Sequence, residues 1–389
     1  MNLLKKKELM KQTPHYFYDL DLLDDTLTCI SEEVKKVNFH VHYAIKANHN
    51  EVLLKHISKK GFGADCVSSG EIEYALNAGF EAQDVVFAGV GKTDAEITYA
   101  LENNVGMLHC ESLEEVVVIN EIAASLNQVA TIALRLNPNV NPLTHEKIST
   151  GLKENKFGLT AYEFNELVKL KGSLPNVNIV GMHFHIGSQI SDLSVFVDLC
   201  DRINEFAPLF ESEIGPLTYL NVGGGLGIDY FEPDENPIPE FAAYFEVFKT
   251  CLEIDKSIPV HFELGRSIVA QCGSLRTEVL YIKKSENKNF AVLDAGMTEL
   301  LRPAMYNAYH KIEKLNTAEE TEELEYDIVG PICESSDCFG KDILLPVLKR
   351  GDVLNIRSCG AYAESMSLRY NGRKQIESYV HSTRELMNC

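Results

Sequence analysis

The sequence has no surplus of positive charge, no closely paired cysteines and no long apolar run, and each lack removes a class of protein. Lysine and arginine number 36 against 57 aspartates and glutamates, a formal net charge of −21. A field of that sign repels phosphate, which argues against nucleic-acid and anionic-membrane partners. The ten cysteines are scattered without a CxxC, and the closest pair is Cys333 and Cys338. No apolar stretch approaches the roughly 18 residues of a membrane span. The opening MNLLKKKELMKQT carries positive charge but no apolar run long enough for a signal peptide. A reduced, soluble, cytoplasmic protein is expected. Internal repeats and low-complexity segments are also missing.

What is present is length and a pattern. At 389 residues with 45% hydrophobic content, the chain is expected to form one large domain and one smaller. From about residue 40, short apolar runs alternate with amphipathic stretches. The runs are 41–47, 63–68, 84–90, 105–110, 130–136, 178–185, 217–222 and 259–264. Eight β candidates separated by helix-like segments imply a parallel sheet, and their spacing fits a (β/α)8 barrel. A doubly wound open sheet would want a glycine-rich turn after its first strand, where this chain has Lys46-Ala47-Asn48. After about residue 268 the helices stop. Strand-like pieces at 275–282, 290–294, 326–330, 343–347 and 353–358 predict a β-rich second domain, a barrel or sandwich. The expected division is 29–268 for the barrel, with 1–28 joining 269–389 in the second domain. The acidic AEETEELE at 318–325 is expected to be a solvated loop.

The stretch Tyr43-Ala44-Ile45-Lys46-Ala47-Asn48 ends the first run. A lysine in a buried strand must be paired or must have stopped being an ammonium ion. A buried amine can form a Schiff base with a carbonyl. A lysine that reaches past the strand end to solvent is the alternative. Three further strand ends carry unusual residues, where (β/α)8 barrels do their chemistry. His183-Phe184-His185-Ile186-Gly187-Ser188 closes the sixth run. Its HxH pair invites zinc, but no third and fourth ligand stand at suitable spacing. His183 reads as a buried, hydrogen-bonded histidine, and His185 as a flat ring for an aromatic ligand. Gly223-Gly224-Gly225 follows the seventh run, where backbone N–H groups can meet a phosphate. Glu263-Leu264-Gly265-Arg266 closes the eighth, offering a carboxylate and a guanidinium. Amine, anion cradle, stacking ring and acid are together what a phosphorylated pyridine aldehyde requires.

These residues, with STGLKENKFG (149–158), DAGMTELLRPAMY (294–306), GPICESSD (330–337) and GAYAESMS (360–367), resemble the fold-type III pyridoxal-phosphate-dependent decarboxylases. The resemblance runs from about Tyr16 to Asn371. It implies pyridoxal 5′-phosphate as cofactor and no metal. It implies that Lys46 is the Schiff-base residue and that His185 stacks on the ring. Ser188, Gly223, Gly224, Gly225, Gly265 and Arg266 would join the cofactor site around the phosphate. Glu263 would meet the pyridine nitrogen, and Tyr362 would reach cofactor and substrate. Cys333 and Glu334 would come from the partner subunit of a homodimer, Cys333 as proton donor and Glu334 as substrate contact. Arg266, Arg302, Tyr306 and Tyr362 complete the implied substrate contacts. Two departures stand out: Leu264 replaces the family's proline, and Ser336 replaces a glycine.

Relatives act on ornithine, arginine, carboxynorspermidine or diaminopimelate. A purely cationic substrate end wants only acids around it. A substrate ending in a whole amino-acid group wants a cation and an acid together, and Arg266, Arg302 and Glu334 offer both signs. That favours meso-2,6-diaminopimelate, converted to L-lysine and CO2 in the last step of lysine biosynthesis. Carboxynorspermidine decarboxylation and racemisation on the same barrel remain the alternatives.

Overall fold

A computed structural model describes residues 12–141, 156–315 and 322–384. Part of the STGLKENKFG stretch and the first half of the acidic run therefore lie outside the described residues. Two compact units are present. One comprises Asp25–Ile228 and Pro239–Ile268. The other comprises Asp229–Ile238 with the described parts of Met1–Asp24 and Val269–Cys389.

Strand β1 (His15–Asp19) belongs to the second unit. The first unit is a closed barrel of β2 (Phe39–Ala44), β3 (Gly63–Cys66), β4 (Val85–Phe87), β5 (Met107–Cys110), β6 (Ala130–Arg135), β7 (Val177–His183), β8 (Tyr219–Asn221) and β9 (Val260–Leu264). Every neighbouring pair is parallel, and β2 closes the ring on β9 with Phe39 opposite Val260 and Tyr43 opposite Leu264. The eight apolar runs of the sequence are these eight strands, so the fold is the expected (β/α)8 barrel.

Most strands are shorter than the apolar runs that mark them, and two of the differing ends bear on the site. The first strand stops at Ala44, and Lys46 sits on a 3₁₀ turn, Ile45–Ala47. The sixth barrel strand stops at His183, so His185 lies in the following loop. Both runs looked longer because their continuation is also apolar and buried.

The helices between strands begin where side chains satisfy the first free N–H groups. Asn50, Ser68 and Ser112 cap Glu51–Ser58, Ser69–Asn77 and Leu113–Ser125. Thr93 with Glu96, and Thr160 with Glu163, form capping boxes. Outside the barrel, the Phe262 ring packs at 5.0–5.1 Å from Phe39, Phe245 and Phe248, tying β9 to helix Phe241–Cys251. Truncating such a buried aromatic costs about 3–5 kcal/mol.

The second unit is an eight-stranded mixed sheet. Its further strands are β10 (Gly273–Lys284), β11 (Asn289–Leu293), β12 (Ile312–Lys314), β13 (Glu323–Val329), β14 (Cys338–Pro346), β15 (Val353–Ile356) and β16 (Glu377–His381). The order is β12-β15-β10-β11-β13-β14, while β1 pairs antiparallel with β10 and parallel with β16. Glu323–Glu325 of the acidic run are strand rather than loop. Paired with Leu344–Pro346, they have a ladder that a charge count could not foresee.

Candidate active site

The groups of interest in the barrel unit follow one rule. They stand on strand ends or just past them, at the C-terminal rim.

Lys46 Nζ lies 3.0 Å from Asp65 Oδ2, and Asp65 on β3 is fully buried. The lysine side chain keeps 36% of its exposure, against 1% for Lys92. Lys92 spends its three donors on Gly89 O, His109 O and Glu115. Lys92 is thus a structural lysine, whereas Lys46 is a reachable amine held by a buried anion. Lys46 is thus ion-paired and still reachable for a carbonyl. Burial, with the Glu263 charge nearby, pushes the Asp65 carboxyl up, and the Lys46 ammonium pulls it back.

Glu263 on β9 is also buried. Its Oε1 accepts from Asn221 Nδ2 at 3.0 Å and lies 3.2 Å from His109 Nδ1, off the ideal N–H direction. Its Oε2 lies 3.3 Å from His183 Nε2. Burial alone would raise this carboxyl. The His183 and His109 rings and their N–H groups hold it well below the usual range. His183 itself is held neutral by burial, and its ring stacks on His109 at 4.0 Å. These three residues are the one group among the described residues whose ligand atoms all lie within 4.8 Å of one another. Their closeness is accounted for by the His183 hydrogen bond to the carboxylate and by the stacking of His109 on His183. The amide donor of Asn221 on the same oxygen does not suit a cation.

His185 is driven down to about 3, first by burial and then by the charges of Lys46 and Arg135. Its Nδ1 accepts from Gly224 N at 3.3 Å. The ring is therefore uncharged and fixed in plane by the glycine loop. Gly223 takes φ +72, and a Cβ on Gly224 would lie 1.9 Å from the Glu263 carbonyl oxygen. Only glycine lets the ends of β8 and β9 approach this closely. The loop's amides are not all free for an anion, because Gly223 N donates to Asn221 Oδ1 at 2.8 Å. Arg266 opens the short helix Arg266–Val269, and its Nε and Nη2 donate to Ser188 Oγ at 3.2 and 3.0 Å. Arg135 is buried, bonded to Glu111, with its guanidinium 4.6 Å from the Phe157 ring.

The barrel thus brings together Lys46, His185, Ser188, Gly223, Gly224, Gly225, Glu263, Gly265 and Arg266. The set fits a phosphorylated pyridine aldehyde. It has a reachable amine, a neutral ring, a guanidinium with a hydroxyl, and an anionic carboxylate with acceptor capacity left on Oε2. Sequence reasoning missed Asp65, His109, Arg135, Tyr219 and Asn221. The available signal was a polar residue inside each apolar run, as in GADC or MLHC.

In the second unit, Arg302 is buried, with Nη1 2.7 Å from His310 Nε2 and its guanidinium 4.6 Å from the Tyr230 ring. Tyr306 ends the helix Arg302–Tyr306. Tyr362 holds φ +57, a left-handed conformation costly for a side chain of its size. Cys333 is exposed. Glu334 accepts from Tyr370 Oη at 2.8 Å. Ser336 does not need a left-handed backbone, and Asp337 pins the turn by accepting from Ile332 N and Met297 N at 2.6 Å. A glycine there is dispensable. Leu264 is a buried strand residue opposite Tyr43, so the missing proline costs no fixed turn.

The profile of the pyridoxal binding domain of pyridoxal-dependent decarboxylases matches residues 23–270. A diaminopimelate decarboxylase of Bacteroides thetaiotaomicron is 49% identical over 370 residues, covering 95% of each chain. One from Neisseria meningitidis is 41% identical, covering 93% of this chain and 86% of the relative. Among solved structures, the Helicobacter pylori diaminopimelate decarboxylase complexed with L-lysine superposes with a TM-score of 0.91. Its identity is 39%, with 97% of this chain and 94% of the other covered.

Proposed function

The chain belongs to the pyridoxal-dependent decarboxylases, and on that premise we propose that it removes one carboxyl group of meso-2,6-diaminopimelate as CO2 and releases L-lysine. The family's cofactor, pyridoxal 5′-phosphate, supplies an electron-poor ring that takes up the electron pair left behind when CO2 departs.

The chain's residues do the rest. Lys46 Nζ, at 3.0 Å from Asp65, would be the amine that holds the cofactor, and Asp65 would keep that amine in place when it is free. Glu263 is held as an anion by the hydrogen bonds of Asn221 and His183, with His109 beside it, and would be the group that keeps the cofactor's ring nitrogen protonated. The neutral His185 ring would stack against the cofactor without adding charge. Arg266 would offset the phosphate charge, with Ser188 as a further hydrogen-bond partner. The single observation that carries the reading is that a reachable lysine just past β2 and a hydrogen-bonded carboxylate on β9 stand on neighbouring strands of the closed barrel.

We assign Cys333 to proton return at the carbon that loses CO2, and Glu334, Arg302, Tyr306 and Tyr362 to the substrate. The exposed thiol of Cys333 and the strained Tyr362 support this assignment. We take the working unit to be a homodimer in which Cys333 and Glu334 serve the partner's barrel. The nine described cysteines are all free, and no described helix is long and apolar enough to cross a membrane. Both agree with a cytoplasmic place.

The test is product formation. Purified protein with pyridoxal 5′-phosphate should release equal amounts of CO2 and L-lysine from meso-diaminopimelate, and Lys46→Ala should lose both this and the visible absorbance of the bound cofactor. Release of CO2 from carboxynorspermidine alone, or inversion without CO2, would overturn it.

A further inference from the structure

The hydrogen bonds behind Glu263 can be assigned proton by proton. Asn221 Oδ1 accepts from Gly223 N at 2.8 Å, which fixes the amide with its NH2 on the other side. One N–H goes to Glu263 Oε1 at 3.0 Å and the other to Tyr219 Oη at 3.1 Å. The Tyr219 hydroxyl then needs an acceptor for its own proton. Among the described residues the one at hand is His109 Nε2, at 3.1 Å. His109 Nε2 is therefore bare, and its proton sits on Nδ1, facing Glu263 Oε1 at 3.2 Å. Every proton in the chain Asn221–Tyr219–His109 has one place. Asn221, Tyr219, His109 and Glu263 are all buried, so a misplaced donor would have no water to correct it.

Neither Asn221 nor Tyr219 touches a group that reacts. Asn221 nevertheless joins the two ends of the site. Its carbonyl holds the glycine loop, and its amide holds the carboxylate. Oε1 accepts from Asn221 and is flanked by His109 Nδ1 at 3.2 Å, and Oε2 accepts from His183, so the more open acceptor capacity of Glu263 is on Oε2.

We propose that Asn221, with Tyr219 behind it, is a positioning residue that keeps Glu263 charged and aimed at the cofactor's ring nitrogen. This rests on the reading of Glu263 given above. Asn221→Asp keeps the shape and the acceptor for Gly223 N, but it replaces both donors with an oxygen beside Glu263. Two carboxylates at about 3 Å share a proton rather than both ionise, so Glu263 stops being a full anion. Tyr219→Phe is the milder variant. It removes the hydroxyl that His109 Nε2 and Asn221 Nδ2 share and leaves both without that partner.

The experiment titrates cofactor-free protein with pyridoxal 5′-phosphate and with its 1-deaza analogue, in which C–H replaces the ring nitrogen. Wild type should prefer the natural cofactor by at least tenfold. Asn221→Asp should bring the ratio close to one, and Tyr219→Phe should lower it several-fold. If both variants weaken the two ligands by the same factor and keep the wild-type ratio, Asn221 and Tyr219 merely support the fold and the proposal falls. If wild type itself shows no preference, the role given to Glu263 fails first, and the proposal goes with it. Folding of each variant is checked by circular dichroism, and Tyr219→Phe decides the matter should Asn221→Asp not fold.

Discussion

The histidines of the barrel should make the fold sensitive to mild acid, and one substitution isolates the effect. His42 on β2 is buried, with Nδ1 3.0 Å from the Asp84 carbonyl and Nε2 2.8 Å from His261 Nδ1. Burial is the first cause of its fall to about 4 from an ordinary 6.5. The group is a histidine with a lowered folded-state value. Between pH 6.5 and 4 the unfolded chain binds a proton that the folded chain refuses. Stability is therefore complete above 6.5, and it declines as the pH drops through that window. From pH 7 to pH 5 the loss from His42 is about 2 kcal/mol. In His42→Asn, the amide can still donate to Asp84 O, but the titrating ring is gone. At pH 7 the variant should be less stable by about 1 kcal/mol for the lost bond to His261. At pH 5 the gap should have shrunk by about 2 kcal/mol, enough to close or reverse it. Removing His42 also takes a like charge away from His261, itself lowered to about 2, which works in the same direction. Glu71, raised to about 7 by burial, titrates with the opposite sign but does so in both proteins and cancels. Urea unfolding at the two pH values reads the difference. A gap of equal size at pH 7 and pH 5 would refute the reasoning.

Two further outcomes are expected. Gly224→Ala should lower the melting temperature and release cofactor on dialysis, since its Cβ would meet the Glu263 carbonyl oxygen at 1.9 Å and overpacking of this kind costs about 1–3 kcal/mol; unchanged melting and retention would show that the loop has room. A thiol reagent should modify Cys333 first among the nine described cysteines in dilute protein, and more slowly as concentration rises and subunits associate; a rate independent of concentration, read by mass mapping, would count against a shared dimer site.

Much of this was legible before any coordinates. Eight apolar runs at regular spacing could only be strands separated by crossovers, and their ends pointed to Lys46, His185, the triple glycine and Glu263. The boundaries were less legible. Ile45 and Ala47 are as buried as the strand that precedes them, so composition could not mark the turn at Lys46. The donors around Glu263 were illegible for a different reason. Asn221 and Tyr219 share β8 while His109 stands on β5 and Glu263 on β9, so their meaning depends on which strands meet across the ring. Short strands such as β1, β12 and β16 escaped notice because three to five residues carry too little alternation to stand out.

The seam between β2 and β9 has a consequence for timing. Lys46 follows the first of the eight staves and Glu263 sits on the last, with some 216 residues synthesised between them; His42 and Glu263 become neighbours only when the cylinder is sealed. A nascent or clipped chain lacking the final stave would possess the amine and the His185 ring yet lack the Glu263 carboxylate. Competence to capture the vitamin thus arrives all at once, on completion of the hoop, and occupancy by the vitamin would report a finished fold.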